Sequence, residues 1–157
     1  MPVSIRQYTS SDLPTIKRIT VDCFEGVTLE GNVEAALGVL HNRDWRWRKA
    51  RHIDDDVGAN HAGFFVAEMD GSPVGYVSTQ IDTAAGKGRI ANLAVAGELR
   101  GQGIGRRLIE HALEYFRGEG LAYAVIETMA ENAVGQYLYP ACGFVAVGRQ
   151  VHYARRL

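Results

Sequence analysis

Two periodicities divide the chain into strand-like and helix-like segments. Apolar and polar residues alternate over residues 3–8, and strand-like runs follow over residues 64–69, 74–81 and 89–95. Apolar residues at helical spacing predict one helix after residue 10 and a second over residues 29–51, broken near Asn42, with Trp47 on its apolar face. The predicted order up to residue 95 is therefore βααβββ.

The second half of the chain predicts a crossover between parallel strands. The glycine-rich junction is expected to open a helix that ends at the stop signals Gly118 and Gly120, with one apolar face formed by Leu108, Ile109, Ala112, Leu113 and Phe116. The apolar run over residues 122–129 is typical of a strand buried on both faces. Strand, helix and strand then form a right-handed unit that places Val95 and Tyr123 on parallel neighbours. A short helix ending at Gly143 and a terminal strand or hairpin complete the chain.

Connections are indicated by turn-forming residues. Asp70-Gly71 between two strand-like runs predicts a tight hairpin. The polar segment over residues 52–63, which includes three aspartates and two glycines, is expected to form a surface loop.

Composition narrows the class of protein. With 157 residues, 46% of them hydrophobic and 22% charged, we expect one packed domain over residues 1–157. A net charge of -1 favours neither nucleic acid nor a membrane as partner, and no leader or long apolar run is visible, so a cytoplasmic location is expected. Cys23 and Cys142 show no paired motif, and the histidines show no metal-ligand spacing, so free buried thiols and no metal are expected.

The stretch RGQGIGRRL, Arg100 to Leu108, raises a question of charge. Three alternating glycines stand where a strand gives way to a helix, and glycine lets an external group approach the backbone closely. The unpaired N–H groups of a helix N-terminus are positive, so Arg100, Arg106 and Arg107 are unfavourable there by themselves. Beside a bound phosphate they become favourable. We therefore interpret this junction as a phosphate site.

Two other phosphate-binding patterns do not fit. A nucleoside-triphosphate loop requires Gly-Lys-Ser/Thr, which the stretch lacks. A dinucleotide fingerprint requires glycine at the positions held by Arg106 and Leu108, although Glu127 lies about where a ribose-binding acid would. Only about 50 residues follow, too few for a doubly wound fold, so an oxidoreductase is disfavoured.

The junction resembles a motif of the GNAT superfamily of N-acetyltransferases, Arg/Gln-x-x-Gly-x-Gly/Ala, with Arg100, Gly103 and Gly105 at its positions. The preceding LAV strand, and Asn132 followed by LYPACGF, are similar to further family features. The resemblance implies an α/β fold of the α+β type: a mixed, mostly antiparallel sheet of six or seven strands, about four helices and a β-α-β coenzyme-binding unit. It also implies that strands four and five splay apart to admit the pantetheine arm.

The same resemblance implies an activity. Acetyl-coenzyme A would be the cosubstrate, and a primary amine of a small molecule or peptide N-terminus would be acetylated by direct attack in a ternary complex. The backbone N–H of Val95 would stabilise the oxyanion and Tyr139 would protonate the thiolate, Tyr137 being the alternative phenol and Pro140 a departure from the family pattern. Coenzyme contacts are expected at Leu93, Ala94, Val95, Arg100, Gly101, Gln102, Gly103, Ile104, Gly105, Arg106, Asn132 and Tyr139.

The general base is less clearly indicated. Many relatives carry a carboxylate on the strand that here holds Asn92, which leaves Glu127 on the following strand as the candidate. Glu127 in an ion pair with an arginine, and ordered water acting on an α-amine, remain alternatives. Residues 41–52 and Asp54 to Asp56 are expected to border the acceptor cleft. A non-catalytic domain that senses coenzyme is the other function considered, and a homodimer is left open.

Overall fold

The computed structural model describes residues 2–157 and builds one five-stranded sheet in the order β1-β2-β3-β4-β5. The first four strands are antiparallel neighbours, and β5 runs parallel to β4. The strands are β1 Ser4–Gln7, β2 Phe65–Met69, β3 Ser72–Asp82, β4 Lys87–Val95 and β5 Tyr123–Ile126. The helices are α1 Leu13–Phe24, α2 Leu29–Leu37, α3 Trp45–Ala59, α4 Ile104–Gly118 and α5 Ala133–Ala141. The mixed fold class is confirmed, with five strands in place of six or seven and five α-helices in place of about four.

Each face of the sheet carries its own apolar core. On one face, α4 packs on the inner strands through the apolar stripe that its sequence predicts. On the other face, α1 and α3 cover the same strands. The buried members of the first core include Ala67, Val77, Ile90, Leu108, Ile109, Ala112 and Phe116. Those of the second include Ile16, Ile19, Ile53, Phe64, Val66 and Tyr76.

The hairpin and the helix break fall where the sequence predicts them. Asp70 and Gly71 have φ angles of 51° and 79°, as a two-residue turn of this type requires. His41 and Asn42, both with φ of 54°, lie in the gap between α2 and α3. The predicted crossover is also confirmed, because β4 and β5 are parallel and joined through α4.

Two expectations about α3 are wrong. Residues 52–59 are helical, so the surface loop predicted from residue 52 is confined to the residues after Ala59. Trp45 is buried, whereas Trp47 is 36% exposed. The cause is that a new helix begins after Asp44, whose carboxylate accepts a hydrogen bond from the Trp47 N–H at 2.9 Å. The break resets the helical phase, so the apolar face no longer includes Trp47.

The end of the chain also differs from the prediction. β5 has only four residues, and Tyr123 is 51% exposed, so the strand is not buried on both faces. Residues 145–157, here called the tail, form no helix or strand and are exposed throughout. The expected terminal strand is therefore absent from the sheet, and this accounts for the lower strand count. No helix in the part of the chain that the structure describes combines the length and apolar character that crossing a bilayer needs.

Candidate functional site

The last two strands of the sheet part after four residue pairs. β4 and β5 pair only from Lys87 opposite Tyr123 to Ile90 opposite Ile126. β4 continues to Val95 after this point, while β5 ends. The result is an opening beside the last five residues of β4. This opening is at the position where strands four and five are expected to splay apart.

Backbone donors of β4 face this opening. The N–H groups of Asn92 and Ala96 point the other way, towards acceptors on β3 at 3.0 and 2.8 Å. Because successive N–H groups of a strand alternate in direction, those of Leu93 and Val95 point into the opening. The Val95 N–H thus has the orientation that stabilising an oxyanion there requires.

The glycine junction forms the mouth of the opening. Gly101 and Gly103 have φ angles of 78° and 81°, a left-handed backbone that favours glycine, and a Cβ at either position would have no neighbouring atom within 4 Å. Gly103 is the N-cap of α4, whose first turn has neither an acidic residue nor a side-chain cap. Its N–H groups are therefore available to an anion.

The three arginines have different partners. Arg100 Nε donates to the Val95 carbonyl at 3.4 Å. Arg106 forms an exposed ion pair with Glu110, one turn along α4, at 3.1 Å. Arg107 instead donates to the carbonyl of Val3 at 2.8 Å. Arg107 therefore ties α4 to the start of β1, and only Arg100 and Arg106 keep their side chains near the loop.

Helix α5 lies beside the start of α4. A Cβ on Gly105 would sit 3.4 Å from the Leu138 side chain, so the two helices touch at the glycine junction. Asn132 caps α5, because its Oδ1 accepts from the Gly135 N–H at 3.2 Å. Its Nδ2 donates to Thr128 Oγ1 at 2.9 Å. Both observed roles of Asn132 are thus structural.

The two candidate phenols are clearly distinguished by burial. Tyr137 is 80% exposed, whereas Tyr139 packs against the core beneath α4 and meets the Phe144 ring edge-on at 6.4 Å. Burial raises the pKa of Tyr139 to about 12. Its hydroxyl is therefore neutral, and able to donate a proton, across the physiological range. Pro140 is the second-last residue of α5, so it interrupts only the final turn.

A buried polar cluster surrounds Asn92. Pairing of β3 with β4 shifts register at this point: Ser78 lies opposite Asn92 and Thr79 opposite Ile90, which leaves Ala91 as an extra residue. The bulge turns the Asn92 side chain towards α3.

There Asn92 joins two helical side chains. Its Oδ1 accepts from Lys49 Nζ at 2.7 Å, and its Nδ2 donates to Asp56 Oδ2 at 2.7 Å. Ser78 Oγ donates to the same carboxylate oxygen at 2.6 Å. We call Lys49, Asp56, Ser78 and Asn92 the Asn92 cluster, and all four residues are buried.

Lys49 has a route to the surface. Its ammonium lies 4.1 Å from the centre of the Phe24 ring, and burial lowers its pKa to about 8 against the opposing charges of Asp56 and Glu30. His52 Nδ1 is 3.5 Å from Lys49 Nζ, and His52 Nε2 is 3.2 Å from Glu30 Oε1. A chain of polar atoms therefore connects the cluster with solvent.

Sequence reasoning misses this cluster. The carboxylate absent at position 92 is supplied by Asp56, which the polar pattern of residues 52–63 places in a loop with Asp54 and Asp55. The available signal is spacing: Lys49, Ile53 and Asp56 share one face of α3, so two charged residues accompany the buried isoleucine. Asp54 by contrast is exposed and pairs with Lys17 at 2.7 Å.

Glu127 lies immediately after β5. Its side chain is 59% exposed and forms an ion pair with Arg89. The ion-pair alternative is therefore present, and the role of Glu127 as a base stays a prediction. Both thiols are free, as expected, but only partly buried; Cys23 Sγ donates to the Val95 carbonyl at 2.9 Å.

Comparison with known proteins identifies the family. The model of the Acetyltransferase (GNAT) family matches residues 15–144, so the chain belongs to this family, and the resemblance of the glycine junction is confirmed. A curated relative, the mycothiol acetyltransferase of Streptomyces coelicolor, is 32% identical over 108 residues, which cover 69% of this chain and 33% of that protein. This chain thus spans about a third of the length of that relative.

Solved structures share the fold. The PaiA N-acetyltransferase from Thermoplasma acidophilum, in complex with coenzyme A, has a TM-score of 0.71 at 19% identity and covers 90% of this chain and 88% of its own. The ribosomal-protein-S18-alanine N-acetyltransferase from Escherichia coli has a TM-score of 0.67 at 21% identity, covering 94% and 80%. At these identities the likeness establishes the architecture.

The depressed pKa of Lys49 predicts a pH effect on stability. Folding lowers this pKa from 10.5 to about 8, so between these values the unfolded chain binds the extra proton and stability rises with pH. From pH 8 to pH 10, the free energy of unfolding of the wild type should rise relative to Lys49→Met by about 2 kcal/mol. Urea denaturation of both proteins across this range measures it, and a constant difference would show that Lys49 is not desolvated.

Proposed function

We propose that this protein is an acetyl-coenzyme A dependent N-acetyltransferase acting on a primary amine of a small molecule or peptide N-terminus. The observation that carries the proposal is the opening between β4 and β5, with the free N–H groups of β4 on one side and the uncapped start of α4 at its mouth. Family membership and a structural neighbour in complex with coenzyme A support the same function.

The coenzyme would bind along the opening. Its pyrophosphate would take hydrogen bonds from the N–H groups of residues 101–106, with Arg100 and Arg106 supplying positive charge. The pantetheine arm would lie beside residues 93–95, where β4 pairs with β3 on one side and has no partner strand on the side of β5. Asn132 and Tyr139 on α5 would border the thioester end.

Transfer of the acetyl group requires a hydrogen-bond donor to the oxyanion, a proton donor to the thiolate and a proton acceptor for the amine. The amine nitrogen attacks the thioester carbonyl, a C–N bond forms, and the C–S bond breaks. The Val95 N–H stabilises the oxyanion, a contact of a kind that contributes about 2.7 to 4 kcal/mol. Tyr139 gives its proton to the departing thiolate, and its raised pKa keeps that proton in place until it is needed.

The proton of the attacking amine has two candidate acceptors. Glu127 follows β5 directly at the open end of the strand pair, and we assign it the role of general base. The Asn92 cluster is the competing acceptor, because it contains a carboxylate: Asp56 lies 2.7 Å from the Asn92 side chain. His52 and Glu30 continue the chain of polar atoms from the cluster to solvent.

The identity of the acceptor is proposed only by class. The relative from Streptomyces is named for mycothiol and the neighbour from Escherichia coli for an alanine of ribosomal protein S18, and these two names support a proposed class that includes both small molecules and peptides. Exposed acids on α3, Asp54 and Asp55, lie on the helix expected to border the acceptor cleft.

Removing the phenol should separate catalysis from binding. Tyr139→Phe should lower kcat by about 10²- to 10⁴-fold with little change in the Kd for coenzyme A, because only the transferable proton is lost. Tyr137→Phe is the matched control and should stay fully active. Thiol release is measured with a panel of amines. Coenzyme binding without acceleration by any amine would favour the sensor function instead.

A side chain at the glycine junction should block the phosphates. Gly103→Val places a branched group on a left-handed backbone at the start of α4, so affinity for coenzyme A should fall at least tenfold, on the order of 1.4 kcal/mol or more. Gly97→Val, at another open position before the loop, should bind within about twofold of wild type. Calorimetric titration gives both constants, and equal affinities would refute the proposed phosphate contact.

The base assignment is tested by pH profiles. Glu127→Gln should lower kcat/KM by about 10²- to 10⁴-fold and abolish the acidic limb of its pH profile, because the proton acceptor is gone. Glu131→Gln, a nearby exposed acid, is the control. An active Glu127→Gln together with an inactive, folded Asp56→Asn would transfer the role to the Asn92 cluster.

A further inference from the structure

Two exposed arginines share one tryptophan ring at the start of α3. The guanidinium of Arg43, just before the helix, lies 4.5 Å from the centre of the Trp47 ring, and that of Arg51, one turn further on, lies 4.9 Å from it. Stacking on an indole fixes the plane of a guanidinium and leaves the N–H groups at its edge free to donate. We call Arg43, Trp47 and Arg51 the Trp47 patch.

The two arginines of the patch have no partner of opposite charge. Their neighbours do have partners, since Arg46 pairs with Glu25 at 3.5 Å and Arg48 donates to a backbone carbonyl at 2.7 Å. Within residues 2–157, neither Arg43 nor Arg51 forms an ion pair or donates a side-chain hydrogen bond. A guanidinium carries five N–H donors, so both side chains have donors left for a ligand.

The order of charges along α3 is the reverse of the order that a helix backbone favours. The N-terminal end of a helix is positive, so acids stabilise it and bases do not. α3 has no acidic residue in its first turn, and its aspartates, Asp54 to Asp56, stand in its second half. The arginines around its start are therefore unfavourable by themselves, and an anion bound beside them would interact well with both the side chains and the helix.

The proposed coenzyme site does not account for this patch. The phosphates of the coenzyme are placed at the start of α4, which packs on one face of the sheet through Leu108 and Ile109. α3 covers the opposite face through Ile53. The anion that suits the Trp47 patch is therefore a different one.

The extent of the positive charge favours an acidic peptide over nucleic acid. A nucleic acid presents a continuous row of phosphates and gains affinity from many basic contacts. Here the basic surface ends within α3, where Asp54 and Asp55 are exposed, and the net charge of the chain is -1. A few carboxylates suffice for two arginines, because each carboxylate can accept two parallel hydrogen bonds from one guanidinium.

We propose that the Trp47 patch is a docking site for an acidic peptide segment of a partner protein, with carboxylates that accept paired hydrogen bonds from Arg43 and Arg51. The aliphatic parts of the segment would lie against Trp47, which is 36% exposed. The proposal does not rest on the acetyltransferase activity, since it uses only the charges and the aromatic ring at the start of α3.

Titration with a simple acidic peptide gives the first test. Fluorescein-labelled octaglutamate should bind the wild type, as measured by anisotropy, and octaglutamine should not. Arg43→Gln/Arg51→Gln should raise the Kd at least tenfold, because both sets of paired donors are lost. Arg117→Gln/Arg149→Gln changes the net charge equally at exposed positions outside α3, and should bind within about twofold of wild type. A wild type that does not bind octaglutamate, or equal constants for the two double variants, would overturn the proposal.

A second set of measurements separates paired hydrogen bonds from charge alone, and peptide from nucleic acid. Arg43→Lys/Arg51→Lys keeps both charges but loses the planar fork, so its affinity for octaglutamate should still fall several-fold. Labelled single-stranded oligothymidylate should bind the wild type more weakly than octaglutamate at the same salt concentration. Unchanged affinity in the lysine variant would refute the paired contacts, and tighter binding of the oligonucleotide, lost in the glutamine variant, would assign the patch to nucleic acid.

A test on the wild type alone covers the case in which a variant fails to fold. Phenylglyoxal modifies accessible arginines, and mass spectrometry locates the modified positions. Octaglutamate should slow the modification of Arg43 and Arg51 and leave that of Arg117 and Arg149 unchanged. Equal protection at all four positions, or none at Arg43 and Arg51, would overturn the proposal.

Discussion

The structure depends on the separation of two parallel strands after four residue pairs. Paired strands satisfy each other's N–H and C=O groups, so strands that part leave donors that need another partner. The Leu93 and Val95 N–H groups are in this position, and the uncapped start of α4 adds more donors at the same place. α4 and α5 hold the opening from one face through the contact of Gly105 with Leu138. A concentrated set of backbone donors is thus built into an otherwise ordinary sheet.

The β-bulge at Ala91 changes the side of the sheet towards which alternate residues of β4 point. Before it, Ile90 points into the apolar core under α4; after it, Asn92 points towards α3 and its charged residues. A buried ammonium and carboxylate are costly unless their hydrogen bonds are satisfied. Here Asn92 links them, donating to Asp56 and accepting from Lys49, so an asparagine suits this position better than a second acid would. The chain therefore keeps a carboxylate in the region although position 92 lacks one.

Sequence alone predicts the local features and misses the tertiary ones. The hairpin at Asp70-Gly71, the β4-α4-β5 crossover and the glycine junction follow from neighbouring residues, and the structure has them. Periodicity does not predict the course of α3, because the cap at Asp44 restarts the helix. The buried roles of Lys49 and Asp56 depend on contacts with β3 and β4, which lie far along the chain. The alternation of the tail predicts a strand, but alternation does not specify which edge that strand pairs with. The predicted roles of Val95, Tyr139 and Glu127 remain predictions about chemistry, for which the structure supplies positions only.

The burial of Lys49 has a consequence for the integrity of the protein itself. An amine whose pKa is about 8 is deprotonated far more often than a surface lysine, and the unprotonated form is the nucleophile. In a family that transfers acyl groups from an activated donor, an unprotonated amine is a group that the donor can modify. With 7% exposure, and with its nitrogen held by Asn92, Lys49 is shielded from that side reaction. The cluster around Asn92 therefore satisfies its buried charges and also leaves the Lys49 nitrogen little surface at which a reagent can reach it.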